Sequence, residues 1–216
     1  NQHSAIEADF TRDWCKGHFD GHMTRVLDAY HQREDTLFPT KHSQPVSSPS
    51  KVMKNSKLLF GQSYYLRFDQ KLWDAMQPYP PLGTLYAASY MRERGFDVAV
   101  FDAMLAESEA EWDAALERER PEYAIIYEDN FNYLSKMCLT NMRQAAINMI
   151  RMAKQRGCTV IIAGSDATDQ QTMYLEHGAD YVLIGEGEET LGELLDSLTG
   201  QSNQPIGQIR GVVSEA

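Results

Sequence analysis

From Lys57 onward, short apolar runs alternate with longer stretches whose apolar residues recur at helical spacing. The runs fall at 57–61, 98–101, 123–127, 159–163 and 181–184, and each has the length of a strand. They are rich in β-branched and aromatic residues and show little alternation, as expected of strands buried on both faces. Helical periodicity predicts helices over 82–94, 107–120, 134–156, 170–177 and 189–198. In the acidic stretch between Glu107 and Glu119, Trp112, Ala115 and Leu116 share one face, so the acids form the wet side. Three of the helical stretches stop at a glycine just before the next strand: Gly95, Gly157 and Gly178. A glycine there accepts a left-handed conformation without a Cβ penalty. Strand, helix and glycine stop, repeated about five times, predict an α/β fold: a doubly wound parallel sheet of about five strands. A further run at 209–213 is a possible sixth strand. In such a sheet a ligand sits beyond the carboxyl ends of the strands.

The first quarter of the chain reads differently. Ile6, Phe10 and Trp14, then Phe19, Met23, Val26, Leu27 and Tyr30, follow a helical period, which predicts an N-terminal helical extension over 1–38. Five of the six histidines lie in the first 42 residues. Residues 39–56 are rich in Pro and Ser and read as a linker. The α/β domain then occupies 57–216. The extension is too short to fold alone and is expected to lie against the main body or a missing partner. The first residue is Asn1 and not Met, which points to a segment upstream.

Composition narrows the function. At 216 residues, 43% apolar and 24% charged, the chain has the make-up of a globular protein and not of a disordered one. Thirty-one acids against twenty bases give a net charge of −11. A field of that sign disfavours nucleic acid and anionic membrane as partners. No apolar run is long enough to span a bilayer, and no signal peptide opens the chain. Three scattered cysteines do not make a disulfide framework, so a reducing cytoplasm is the expected location. Cys15, His18 and His22 have metal-compatible spacing, but no fourth ligand is evident and Gly17 and Gly21 weaken a helix there; no metal site is assigned. Cys138, in an apolar helical stretch, reads as core, and Cys158 begins a strand with no nearby base, which disfavours a nucleophile.

The chemistry is expected at the strand ends. About twenty residues separate the first strand from its helix, long for such a connection. That loop carries Tyr64, Tyr65, Phe68, Trp73 and Tyr79, either as an aromatic floor for a flat ligand or folded back on its own hydrophobes. The third strand is followed by a polar and aromatic turn with Asn130 and Phe131. After the fourth come Gly164, Ser165, Asp166 and Thr168, and after the fifth Gly185, Glu186, Gly187, Glu188 and Thr190. Glycines at strand ends let a ligand approach the backbone, and the hydroxyls of Ser165, Thr168 and Thr190 offer hydrogen bonds. Neither a P-loop nor a dinucleotide fingerprint follows any strand. A phosphorelay receiver is disfavoured, since acids after the first strand and a lysine after the fifth are missing. A flavodoxin is disfavoured by Tyr64-Tyr-Leu-Arg67 where a hydroxyl-rich phosphate loop belongs.

Three segments together carry a family resemblance: Tyr79-Pro-Pro-Leu-Gly-Thr-Leu-Tyr-Ala-Ala-Ser-Tyr-Met-Arg-Glu-Arg-Gly95, Ala163-Gly-Ser-Asp-Ala-Thr168 and Ala179-Asp-Tyr-Val-Leu-Ile-Gly-Glu-Gly-Glu-Glu-Thr-Leu-Gly-Glu-Leu-Leu195. They resemble the N-terminal cobalamin-binding domain of B12-dependent radical SAM enzymes, and the resemblance covers roughly 57–213. It implies a flavodoxin-like, Rossmann-like sheet with the corrin across the strand ends and the nucleotide tail between the loops after strands one, four and five. The cofactor-binding residues it implies are Ser63, Tyr64, Tyr65, Leu66, Pro81, Gly83, Asn130, Phe131, Gly164, Ser165, Asp166, Thr168, Gly185, Glu186, Gly187, Glu188 and Thr190. The family's cluster motif, Cys-x-x-x-Cys-x-x-Cys, is absent, so S-adenosylmethionine and a [4Fe–4S] cluster are expected only through a radical SAM barrel beyond residue 216. That barrel is the expected partner in the full-length polypeptide, with a small-molecule substrate. The alternative is a non-catalytic cobalamin or tetrapyrrole sensor or carrier domain. The loop 61–69 contains no histidine, and Asp20-Gly-His22 precedes the sheet, so cobalamin is expected without a histidine below the cobalt.

Overall fold

A computed structural model describes residues 56–75, 78–127 and 136–215. The expected helical extension and most of the linker, with Cys15, His18 and His22, lie outside these residues, as do Asn130 and Phe131. Among the described residues the chain runs β1 (Lys57–Gly61), α1 (Gln70–Ala75), α2 (Leu82–Glu93), β2 (Asp97–Val100), α3 (Ala110–Glu119), β3 (Tyr123–Tyr127), α4 (Lys136–Gln155), β4 (Thr159–Ala163), α5 (Ser165–Asp169), α6 (Gln171–Glu176), β5 (Tyr181–Leu183), α7 (Glu188–Leu198) and β6 (Val212–Val213). The sheet order is β2-β1-β3-β4-β5-β6, with the first five strands parallel. Its order reverses between β1 and β3, the place where such sheets open a crevice.

Side-chain alternation along the strands divides the core in two. Leu58, Phe60, Ile125, Ile161 and Leu183 face one side and pack with Met91 of α2 and Leu194 of α7. Leu59, Ile126, Val160 and Val182 face the other and meet Trp112 of α3, Ile150 of α4 and Tyr174 of α6. Both faces of β1, β3 and β4 are therefore dry, which is why these runs show no polar alternation. In α3, Trp112, Ala115 and Leu116 are buried as their spacing predicts. Gly95, Gly157 and Gly178 take φ of +93°, +79° and +104° at their helix ends. α3 stops otherwise: Arg120 ends it in a left-handed conformation, φ +47°, just before Pro121.

Several features depart from the sequence-based expectation. β6 exists but spans two residues and runs antiparallel, pairing Val182 with Val213 and Leu183 with Val212. After α7 the chain returns along the sheet edge through one 3₁₀ turn, Ile206–Gln208, without a crossover helix. A parallel edge strand needs such a crossover. The connection after β1 is not plain loop either. It holds a 3₁₀ turn at Leu66–Phe68 and the short α1. A third short helix, α5, occupies the turn after β4. Among the described residues no helix is long and apolar enough to cross a membrane.

Candidate functional site

At the carboxyl edge, a cleft of about 520 Å³ opens over the ends of β3, β4 and β5, within the ~300–1,000 Å³ typical of small-molecule sites. Its walls come from the start of α2, the end of β3, and the turns after β4 and β5. Gly83, Gly164, Ser165, Thr168, Gly185, Glu186 and Glu188, all anticipated from sequence, line it together with Tyr127 and Asp169. Gly164 takes φ +122° and Gly185 φ +76°, conformations that a side chain would strain. A Cβ on Gly83 would meet only the Tyr127 ring, at 3.5 Å, so its missing side chain leaves space beside that ring.

The turns are tied to one another by hydrogen bonds. Thr168 Oγ1 donates to the Gly164 carbonyl at 2.9 Å and accepts from the Gly185 N–H at 3.1 Å. One hydroxyl thus joins the turn after β4 to the turn after β5. Thr84 Oγ1 donates to the Tyr127 carbonyl at 3.1 Å, anchoring the start of α2 to β3. The Gly187 N–H donates to the Tyr127 hydroxyl at 3.3 Å. Burial, and then the neighbouring Glu188 and Glu186 carboxylates, hold the Tyr127 phenol well above the ordinary tyrosine range. It is a neutral group at physiological pH.

Charge in the cleft has one sign. Asp169, Glu186 and Glu188 line it, and neither Lys nor Arg is among its described lining residues. Three helices begin there, α2 at Pro81, α5 at Gly164 and α7 at Gly187, and none has a side chain capping its first N–H groups. The first N–H groups of a helix have no partner within the helix. The cleft therefore offers carboxylate and carbonyl acceptors with backbone donors. Among the described residues no group of three His, Cys, Asp or Glu side chains is placed to hold a metal ion. Within them His177 is the one histidine, and its Nδ1 lies 2.7 Å from the Met173 carbonyl at the end of α6, before β5 begins.

Other anticipated residues take different places. Ser63, Tyr64, Tyr65 and Leu66 are fully buried and contribute no surface to the cleft. Tyr64 and Leu66 pack with Met104 and Met142, with Trp73 and Tyr79 against them. Tyr65 stacks on Phe68 with ring centroids 5.0 Å apart, and the Arg67 guanidinium lies 4.4 Å from the centre of the Trp73 ring. The aromatic loop is folded back on its own hydrophobes, and β3 replaces β1 as the third wall of the cleft. The physical reason is burial of apolar surface: Tyr65 joins the cluster of Trp112, while Tyr64 and Leu66 close over Met104 and Met142. Pro81 and Gly187 are buried behind the lining. Asp166 is 4% exposed and ion-paired to Arg143. Thr190 is engaged at the other end of α7's first turn, its Oγ1 3.5 Å from the Arg210 carbonyl.

Tyr127 escaped the sequence reading because it closes an apolar strand, Tyr-Ala-Ile-Ile-Tyr, and passes for core. An amphipathic ring at the carboxyl end of a strand is the signal available for it.

A family model for the B12-binding domain matches residues 74–195, more than half of the chain. A search of curated protein sequences finds no significant match. Among solved structures, the chain is similar in fold to the cobalamin-dependent S-adenosylmethionine radical enzyme OxsB with aqua-cobalamin bound. That likeness has a TM-score of 0.52 and 14% identity over 75% of this chain and 21% of the other. It is also similar to the radical S-adenosylmethionine methyltransferase TsrM from Kitasatospora setae, with a TM-score of 0.57 and 14% identity over 74% of this chain and 29% of the other. The chain spans less than a third of either neighbour, and at this identity the likeness is one of fold. With a parallel sheet ordered 2-1-3-4-5, a cleft at its carboxyl edge and the family match across α2 to α7, this chain belongs to the B12-binding domain family.

Proposed function

We propose that this chain is the cobalamin-binding module of a radical SAM enzyme, with 57–216 holding the cofactor and the catalytic barrel supplied by the rest of a longer, cytoplasmic polypeptide. The observation that carries the reading is the cleft over β3, β4 and β5, whose walls hold Gly164 and Gly185 in conformations that favour glycine and leave space beside Gly83. Its donor set fits the cofactor. A corrin edge carries primary amides, which would donate to the Glu186, Glu188 and Asp169 carboxylates, while the phosphodiester of the nucleotide tail would accept from backbone N–H groups at the helix starts. Gly83, Gly164, Ser165, Thr168 and Gly185 would enclose the tail, and the carboxylates would meet the amides. Bound cobalamin supplies methyl-carrying and radical chemistry that side chains lack.

Titrating the 216-residue chain with hydroxocobalamin tests this directly. Saturable one-to-one binding and a shifted visible spectrum are expected; a spectrum identical to that of the free cofactor at every ratio would overturn the reading. For the lower face of cobalt, Co(II) electron paramagnetic resonance is expected to lack splitting from a protein axial nitrogen. A splitting lost in His22→Ala or His18→Ala would place an N-terminal imidazole there instead.

A further inference from the structure

Behind the cleft lies a charged network that the binding surface itself does not require. Asp166 follows Gly164 and Ser165 in the turn after β4, yet its carboxylate is buried. Arg143 of α4 grips it with two donors, Nε to Oδ2 at 2.9 Å and Nη2 to Oδ1 at 2.5 Å. Tyr174 of α6, fully buried, donates its hydroxyl to Oδ2 at 2.7 Å. Three elements, α4, α5 and α6, are thereby fixed to one carboxylate.

A buried ion pair is weak evidence of stability, because desolvation offsets its attraction, so its position matters more. Here it sits on α5, a helix of five residues with no side-chain cap at its start. So short a helix does not hold its shape unaided. Yet α5 carries Ser165 and Thr168 into the cleft, and Thr168 passes the constraint on to Gly185.

We infer that Arg143, Asp166 and Tyr174 are positioning residues for the cofactor: they fix α5 so that Ser165, Thr168 and the joined Gly185 turn keep the cleft at the width that accepts the nucleotide tail. The inference rests on the cobalamin reading and adds to it the residues that give tail recognition its geometry.

The test uses the 216-residue chain, hydroxocobalamin, and cobinamide, a corrinoid that lacks the nucleotide tail. Tyr174→Phe keeps the ring and deletes one hydrogen bond to a charged acceptor; it is expected to weaken cobalamin about tenfold and cobinamide less than about twofold. Arg143→Met should weaken cobalamin further, and Arg143→Lys should restore part of the loss. Arg156→Met is the control, since Arg156 grips Asp113 with the same two-donor geometry, at 2.6 and 2.7 Å, at the far end of α4. That variant should leave the preference for cobalamin over cobinamide unchanged. If the wild-type chain binds no cobalamin, the underlying reading falls and this inference with it. If the wild type binds and prefers cobalamin, but Tyr174→Phe weakens both corrinoids equally or no more than Arg156→Met does, the positioning role is overturned and the cobalamin reading stands.

Discussion

The two halves of the carboxyl sheet edge solve opposite problems with similar materials. Beside β1 the chain spends about twenty residues, many of them aromatic, and closes the surface: Tyr64, Tyr65 and Leu66 are fully buried. Beside β4 and β5 it spends few residues, mostly glycine, hydroxyl and acid, and leaves a cleft. The difference lies in what a missing side chain adjoins. At Gly61 the absent Cβ would collide with Trp112, 2.7 Å from its ring, so that glycine serves packing. At Gly83 the absent Cβ adjoins the cleft and the Tyr127 ring at ordinary contact distance, so that glycine leaves room for a ligand. Two glycines at the same edge of one sheet thus have unrelated causes.

The sharpest way to break this comparison is Gly83→Leu. The site is in the first turn of α2, where leucine is a better helix former than glycine, by up to about 1 kcal/mol. Stability is therefore expected to hold or rise, while a branched side chain fills the space beside Tyr127. Cobalamin affinity should fall by at least about thirtyfold, equivalent to roughly 2 kcal/mol. Unchanged affinity in a folded variant would move the tail away from the start of α2. Gly61→Ala should give the converse. Overpacking Trp112, whose Nε1 is fixed to the Met149 carbonyl at 3.1 Å, is expected to cost about 1–3 kcal/mol in a urea melt. Corrected for the folded fraction, cobalamin affinity should not change. A binding defect in folded Gly61→Ala would return the β1 loop to the cofactor site.

What could be read from the sequence divides along the same line. The strand runs, the glycine stops and the turns after β4 and β5 depend on local chemistry, so short windows suffice to find them. Gly164, Ser165, Thr168 and Gly185 were legible for that reason, Gly83 came through the family resemblance of its helix start, and all line the cleft. The aromatic loop was not, because a tyrosine that faces a ligand and one that faces the core have the same local sequence; only the packing of Met104 and Met142 against Tyr64 and Leu66 decides. Long-range partners were equally hidden. Asp166 is separated from Arg143 by 23 residues, and nothing near it in sequence marks it as the centre of a buried network. β6 was found as a strand, but its direction depends on how residues 199–211 return along the edge.

The smallest expected effect distinguishes two adjacent tyrosines within the closed half. Tyr64 donates its hydroxyl to the Asp69 carboxylate at 2.8 Å, and both groups are buried. Tyr64→Phe removes a donor from a buried charge and should cost about 1–3 kcal/mol. Tyr65 is equally buried, but among the described residues its hydroxyl meets no hydrogen-bond partner. Burial, and then the Glu109 and Glu111 charges, hold its phenol far above the ordinary range. A buried hydroxyl without a partner lowers stability, and its removal relieves that penalty while the ring stays stacked on Phe68. Against the relief stands only the small void left by one oxygen. Tyr65→Phe should therefore be neutral or stabilising by up to about 1 kcal/mol in the same urea melt, the opposite sign from its neighbour. A loss above about 1 kcal/mol would mean that the Tyr65 hydroxyl has a partner in solution. The closed half would then hold a buried polar contact beneath its aromatic surface, and the β1 side would need redrawing as more than apolar packing.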